Sequence, residues 1–375
     1  MRYFKELIKK LCPDGVQYKK LSELCIALKK GTLKTSDLKV NGKYPVINSG
    51  RELYGFYDEF NNKNAITFAA RGEYAGFISY FEDEFWAGGL CYPYSSKDEK
   101  IITNKFLYYY LKSKEKIIME TLVARGSIPA LNKTDLDRFM IAVPPLEVQH
   151  EIVNILDTFE EHIECLKKEL ELRENSYETI MHSLLRKGNF KKFDCLENYC
   201  RFEKGKTPIQ KNTPGNYPLV ATTEHLQTSD NYQFDCEAVC LPLISARGHG
   251  VASITRIYYQ SGKFALGNIL CAIIPKDNQV KAEFLRNYLF YHKDTLLVPL
   301  MRGGANVSLT IDSLKKVQIP IPSIEEQQGI IEKLRIFQEI LSKEKGIPAE
   351  IEKRQQQYEY YREKLLSFKE VEVDE

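Results

Sequence analysis

The sequence predicts an α+β protein made of two copies of one unit, each a compact mixed globule followed by a long helix. Three observations carry this: a colinear internal repeat, a change of texture within each copy, and an apolar stripe at coiled-coil spacing. The repeat comes first, because periodicity on this scale decides the architecture. Phe106-Leu107-Tyr108-Tyr109-Tyr110-Leu111 matches Phe284-Leu285-Arg286-Asn287-Tyr288-Leu289 at an offset of 178. The same offset carries Pro144 onto Pro322, Glu147 onto Glu325, Gln149 onto Gln327, Leu156 onto Leu334 and Phe159 onto Phe337. Upstream, Ala70-Arg71-Gly72 matches Ala246-Arg247-Gly248, and Gly42-Lys43-Tyr44-Pro45 matches Gly215-Asn216-Tyr217-Pro218.

The first part of each copy is rich in Gly, Pro and aromatic residues. Its short apolar runs are of strand length and bounded by turn residues, as at 65–69, 76–80 and 251–255. Helical stretches intervene at 105–118 and 282–292. The second part is helical. Ile152, Leu156, Phe159, Ile163, Leu166, Leu170, Arg173, Tyr177, Ile180 and Leu184 follow an alternating 4,3 spacing, which is a coiled-coil seam. The second copy repeats it as Ile330, Leu334, Phe337 and Leu341, then Ile347, Ile351, Arg354, Tyr358, Tyr361 and Leu365. Three extra residues enter around Gly346 and Pro348, so a kink or break is expected there. Each seam has a matching seam in the same chain and so has an internal partner; the alternative is a dimerisation coil. These textures divide the chain into 1–143, 144–190, 191–321 and 322–375.

The 375 residues allow two or three domains, and 28% charged with 43% hydrophobic residues is ordinary for a globular protein. No run of 18 apolar residues suggests a membrane span, and the opening segment, with Lys5, Glu6, Lys9 and Lys10, does not read as a signal peptide. Nine cysteines without a paired framework read as reduced cytosolic thiols. The net charge of +2 hides a segregation: the four segments carry +6, −5, +5 and −4. Basic globules beside acidic helices suggest a polyanion on the former and another partner on the latter.

Motifs for chemistry are missing. There is no Walker loop, no Asn-Pro-Pro-Tyr or Asp-Pro-Pro-Tyr of the amino-methyltransferases, and no His-Glu-x-x-His. Cys195/Cys200 and Cys236/Cys240 lack zinc-knuckle spacing. His249 stands beside Gly248, but its counterpart in the first copy is Glu73, which argues against a duplicated catalytic role. Recognition residues are more readily found. Arg71-Gly72 and Arg247-Gly248 follow strand-like runs; Arg125-Gly126 and Arg302-Gly303 form a second pair of Arg-Gly turns. Lys30-Gly31-Thr32 and Lys204-Gly205-Lys206-Thr207 form a third recurring element. Glycine beside a basic residue lets backbone approach a phosphate, and arginine can pair bidentately with guanine. The other reading is that the glycines serve turns and the cations are merely solvated.

Together these features resemble the specificity subunit of a type I restriction-modification enzyme. The resemblance rests on the Arg-Gly loops at Arg71 and Arg247, the Phe-Leu-x-x-Tyr-Leu segments at Phe106 and Phe284, and the duplicated passage into the helix. That passage reads Ile141-Ala142-Val143-Pro144-Pro145-Leu146-Glu147-Val148-Gln149 and Ile319-Pro320-Ile321-Pro322-Ser323-Ile324-Glu325-Glu326-Gln327. The opening Leu11-Cys12-Pro13-Asp14-Gly15-Val16 and the final helix from Arg354 to Arg362 add to it. The resemblance implies two target recognition domains, each reading half of a split double-stranded DNA sequence, with the two long helices packed antiparallel as a spacer. It implies a non-catalytic cytoplasmic chain. Two modification subunits would bring S-adenosylmethionine chemistry, and restriction subunits would bring ATP and Mg2+. It departs from the family pattern at Val148, and at Gly346/Pro348, where a straight second helix is in doubt. A fused methyltransferase-nuclease and a coiled-coil scaffold that does not bind DNA are the competing classes.

Overall fold

The computed structural model describes residues 2–223, 225–247, 250–304 and 306–371. Contacts divide the chain into two compact units, residues 1–166 with 351–375, and residues 167–350.

The first unit begins with α1 (Arg2–Leu11). Its main sheet has the order β2-β8-β5-β6, all antiparallel: Cys25–Ala27, Cys91–Ser96, Ala65–Ala69 and Ile78–Phe81. A second sheet runs β4 (Gly55–Tyr57), β3 (Tyr44–Ile47), β7 (Trp86–Ala87), with β3 and β7 parallel. β1 (Gln17–Lys20) pairs with β11 (Met140–Val143), and β9 (Val123–Ala124) with β10 (Ala130–Leu131). Short α2 (Leu21–Leu24), α4 (Glu115–Thr121) and α5 (Lys133–Asp137) connect these strands. α3 (Asn104–Ser113) packs on the main sheet, and Thr103 caps it by accepting from the Phe106 amide. All five residues of β5 are buried, as expected of a central strand. The core gathers Phe68, Tyr94, Phe106 and Tyr109.

α6 (Leu146–Leu185) follows as one helix of 40 residues, about 60 Å at 1.5 Å per residue. It contains the whole seam read from the sequence, Ile152 to Leu184, and starts before it. Ile152, Leu156 and Ile163 are buried, while Arg173 is exposed.

The second unit repeats the main sheet and the terminal strand pair of the first, adds a fourth strand to the second sheet, and replaces the β9–β10 pair by the isolated bridge of Arg302 and Ser308. β12 (Phe193–Cys195) pairs with β21 (Gln318–Pro320). The main sheet is β13-β20-β17-β18: Cys200–Lys204, Leu270–Pro275, Ala238–Pro242 and Tyr258–Gln260. The second sheet is β15-β14-β19-β16: Gln227–Ser229, Tyr217–Val220, Lys263–Leu266 and Phe234–Asp235, again with its one parallel pair, β14 and β19. α7 (Leu196–Tyr199), α8 (Ala282–Tyr291) and α9 (Ile311–Lys315) take the places of α2, α3 and α5. The run 251–255, expected as a strand, is a loop, because the Ala246 amide and the Ser245 hydroxyl bind it instead.

α10 (Ile324–Ile340) starts on a capping box: the Ser323 hydroxyl accepts from the Glu326 amide and the Glu326 carboxylate from the Ser323 amide. α11 (Ile347–Leu365) is a separate helix, so the expected break is present. A side chain at Gly346 would meet the Ile340 carbonyl at 2.1 Å, which reserves that turn for glycine.

Helix pairs form inside each unit. Phe159 of α6 stacks on Tyr361 of α11 at 5.5 Å in the first. Tyr177 of α6 stacks on Phe337 of α10 at 6.1 Å in the second. In the first unit, the segment after α11 lies beside the residues leading into β1: the Val16 amide donates to Lys369 at 2.8 Å and the Tyr18 hydroxyl to Phe368 at 3.0 Å.

One glutamine per unit fixes where the globule meets its helix. Gln149, fully buried, donates to the carbonyls of Ile101 and Pro144, both at 2.8 Å, and accepts from the Thr103 amide at 2.9 Å. Gln327 does the same with Gln279 (2.8 Å), Pro322 (3.1 Å) and the Lys281 amide (2.8 Å). Gln149→Ala leaves buried backbone groups unpaired and should lower stability by about 1–3 kcal/mol. Gln149→Glu should cost more, because a carboxylate cannot donate to either carbonyl. Glu147→Ala, on the exposed side of the same turn, should be neutral. Denaturant titrations of the three variants check this, and equal midpoints would contradict the clamp.

Candidate nucleic-acid interface

The basic elements singled out from the sequence gather at one end of the main sheet in each unit, and backbone hydrogen bonds put them there. In the first unit the hub is the turn from Gly88 to Leu90, between β7 and β8. The Gly31 amide donates to Ala87 at 2.8 Å and bridges Gly88, which sets Lys30 and Thr32 on one side. The Ala70 amide donates to Leu90 at 2.8 Å, which sets Arg71 on the other. Arg71 bridges Ala130, and Ala130 pairs with Ala124, so the hairpin carrying Arg125 lies next in line. Asn48 secures the hub by accepting from the Leu90 amide at 2.8 Å. Gly72 has φ +93°, where a side chain would be strained, and its amide donates to Pro129 at 2.9 Å.

The second unit repeats the network. The Thr207 amide donates to Leu266 at 3.1 Å and bridges Gly267; the Leu243 amide donates to Ile269 at 2.9 Å. Ile244 bridges Ser308, which in turn bridges Arg302. Gln233 shapes the lysine loop, accepting from the Lys206 amide and donating to the Lys204 carbonyl, both at 2.9 Å. Gly248 and His249 lie outside the described residues.

This register corrects the equivalences read from identical letters. The residue that bridges the hairpin is Arg71 in the first unit and Ile244 in the second, so Arg247 stands three residues farther along a longer loop. The residue opposite the bridging strand is Ala124 in the first unit and Arg302 in the second. Gly31 corresponds to Thr207, so Lys30 corresponds to Lys206, while Lys204 is still part of β13. The elements recur at the same rim, but the arginines do not occupy the same positions.

Their side chains differ too. Arg71, Arg125 and Arg247 are exposed and have no side-chain partner among the described residues. Arg302 donates to the carbonyls of Pro299 at 2.6 Å and Met301 at 2.9 Å, so its guanidinium serves its own turn. Lys30 donates to Gly89 at 3.1 Å and sits over the Tyr92 ring at 5.0 Å.

Several neighbours carry no signal in the sequence. Arg51 lies over Tyr74 at 4.8 Å. Arg256 donates to Thr223 at 3.0 Å and lines a cavity of about 460 Å³ with Ile244, Ser245, Ser253 and Tyr258. Ile128, at the hairpin tip beside Arg125, is 65% exposed. None of these belongs to a repeated motif, and the fold alone brings them to the rim. Among the described residues, no group of three or more His, Cys, Asp or Glu is placed to hold a metal, and no helix is long and apolar enough to cross a membrane. An exposed cationic rim with apolar tips and open backbone turns can hold phosphates and reach base edges.

A family model described as the type I restriction modification DNA specificity domain matches residues 13–173 and again 191–353. A candidate type I specificity subunit of Mycoplasma pneumoniae is 27% identical, over 93% of this chain and 97% of its own. The specificity subunit of the EcoR124I/EcoR124II type I restriction enzyme of Escherichia coli is 28% identical, over 73% of each chain. The crystal structure of a type I restriction-modification S subunit from M. genitalium has the same fold, with a TM-score of 0.65 at 20% identity, covering 96% of this chain and 97% of that one.

The contrast between the arginines has a consequence for stability. Arg302→Ala removes two hydrogen bonds and should cost the second unit about 1 kcal/mol. Arg125→Ala removes none and should stay within about 0.5 kcal/mol of the parent. Chemical denaturation distinguishes them, and equal losses would contradict the assignment of Arg302 to its turn.

Proposed function

The chain belongs to the type I restriction-modification DNA specificity family, and from that premise we propose that each of its two units is a target recognition domain reading one half of a split double-stranded DNA sequence. The protein is a specificity subunit. It selects the DNA for a restriction-modification enzyme and leaves catalysis to other subunits.

The observation that carries the reading is the duplicated rim: in each unit the same strand ends and turns gather cations on a basic globule, and among the described residues Arg71, Arg125 and Arg247 are exposed without a side-chain partner. Lys30, Thr32, Arg71, Gly72 and Arg125 are the proposed contacts in the first unit. Lys204, Lys206, Thr207, Arg247 and Gly248 are those in the second, with Arg302 shaping its turn. The long helices are proposed to pair antiparallel and to set the unread gap between half-sites. The 40-residue length of α6 and the stacked pairs Phe159–Tyr361 and Tyr177–Phe337 support this. In the cytoplasm, modification subunits would supply S-adenosylmethionine, and restriction subunits ATP and Mg2+.

Acidic helices are poor neighbours for phosphates and good ones for protein. We place the modification subunits on them, near the passages 144–149 and 322–327. Gln149 and Gln327 face inward at these passages, while Glu147 in the first and Ser323, Glu325 and Glu326 in the second are exposed, as is His150 just beyond the first. The repeat offers two such places, so native mass spectrometry of the co-expressed complex should show two modification subunits per chain. Another ratio, with both passages intact, would contradict this.

Mapping methylated adenines in cells with and without this chain should reveal the target. On that target, Arg71→Ala and Arg125→Ala should affect recognition of one half-site, and Arg247→Ala the other. A base contact is worth about 1–3 kcal/mol of discrimination. A phosphate contact instead weakens all sequences alike and lowers the slope of log K against log salt by about 0.9. Binding by anisotropy across half-site variants and salt separates the two. If all three variants bind every sequence as the parent does, the rim is not the DNA surface.

A further inference from the structure

Where each globule meets its helices, a small polar cluster lies farther along the helix from the glutamine tie. In the first unit α3 contributes Lys105 and Tyr109, α6 contributes Asp157 and Glu160, and α11 contributes Tyr358. Lys105 pairs with Asp157 at 2.8 Å. The Tyr109 hydroxyl lies 2.6 Å from Asp157 and 2.9 Å from Glu160, and Tyr358 donates to Glu160 at 2.7 Å. In the second unit α8 contributes Glu283 and Asn287, α10 contributes Arg335 and Gln338, and α6 contributes Tyr177. Glu283 pairs with Arg335 at 2.6 Å. Gln338 donates to Asn287 at 3.2 Å and to Tyr177 at 3.1 Å.

These are equivalent places. The 178-residue offset that carries Gln149 onto Gln327 also carries Lys105 onto Glu283, Tyr109 onto Asn287, Asp157 onto Arg335 and Glu160 onto Gln338. The geometry is kept and the ion pair is reversed. The first globule presents the cation to a helix carboxylate; the second presents the carboxylate to a helix cation. A duplicated protein has a particular hazard: each globule can dock on the helix pair meant for the other, in the same molecule or in a second copy. With reversed pairs, such an exchange would set Lys105 against Arg335, and Glu283 against Asp157 and Glu160. Arg335 is 52% exposed, so solvent limits what the correct pair contributes. Discrimination comes from the like charges of the wrong pairing.

We propose that the reversed ion pair is a pairing code that keeps each globule on its own helices and excludes exchange with a second copy of this chain. The code does not depend on what the globules bind. It is read by refolding an equal mixture of tagged and untagged full-length chain from denaturant and measuring how much untagged chain is retained with the tag, with light scattering to identify dimers. The double variant Glu283→Lys with Arg335→Glu keeps an ion pair but gives the second unit the polarity of the first. Its mixed dimer should rise about tenfold over the parent. Adding Lys105→Glu with Asp157→Lys reverses the first unit as well, restores the distinction, and should return exchange to the parent level. No rise in the first variant, or no return in the second, would overturn the proposal. If the double variant does not unfold cooperatively, Glu283→Gln with Arg335→Gln carries the test. It should exchange more than the parent, and an unchanged level would equally overturn the code.

Discussion

A single buried amide per unit holds the architecture in register. Gln149 and Gln327 each tie the first turn of a long helix to the loop that starts the packed helix of the globule. An amide side chain offers donor and acceptor together, so it can satisfy two carbonyls and an amide that no apolar side chain could serve. With this tie in place, everything farther along the helix falls at a fixed distance from the globule. The polar clusters at Asp157 and Arg335 and the stacked aromatics at Phe159 and Phe337 sit where they do because the helix cannot slide.

The rim at the sheet end shows the same economy. The turn after β7 or β19 binds the chain leaving the first strand of the main sheet and the chain leaving its central strand. It thereby collects loops distant in sequence. These loops vary in length and in the placement of arginine, while their hydrogen bonds do not. A fixed frame with free loop tips suits a protein whose duty is to recognise, since tips can change without disturbing the core. Arg302 marks the boundary between the two: it lies at the rim, yet its donors are spent on its own turn.

Charge follows this division. The globules are basic and the helical segments acidic, although the chain as a whole is nearly neutral. A polyanion is therefore drawn to the globules and discouraged from the helices, whose exposed faces are left for protein partners. In the reversed pairs Lys105–Asp157 and Glu283–Arg335, charge has a second use, which is to tell two similar surfaces apart.

Local pattern was enough for much of this. The 4,3 spacing of Ile152 through Leu184 located α6, because a helix seam depends only on periodicity along the chain. The stammer at Gly346 and Pro348 located the break between α10 and α11, because both residues act on their own backbone. The repeat, legible in Phe106/Phe284 and Gln149/Gln327, implied two equivalent units. Tertiary structure alone decided the rest. Identical letters aligned Arg71 with Arg247 and Arg125 with Arg302, but hydrogen bonds to distant strands make Ile244 the counterpart of Arg71 and Ala124 the counterpart of Arg302. Contacts also gave α11 from Ile351 onward to the first unit although it follows the second in sequence, and turned Gln149 and Gln327 inward within the duplicated passages into the helices. Register and burial depend on what a residue meets across the fold, and a single sequence records only what it meets along the chain.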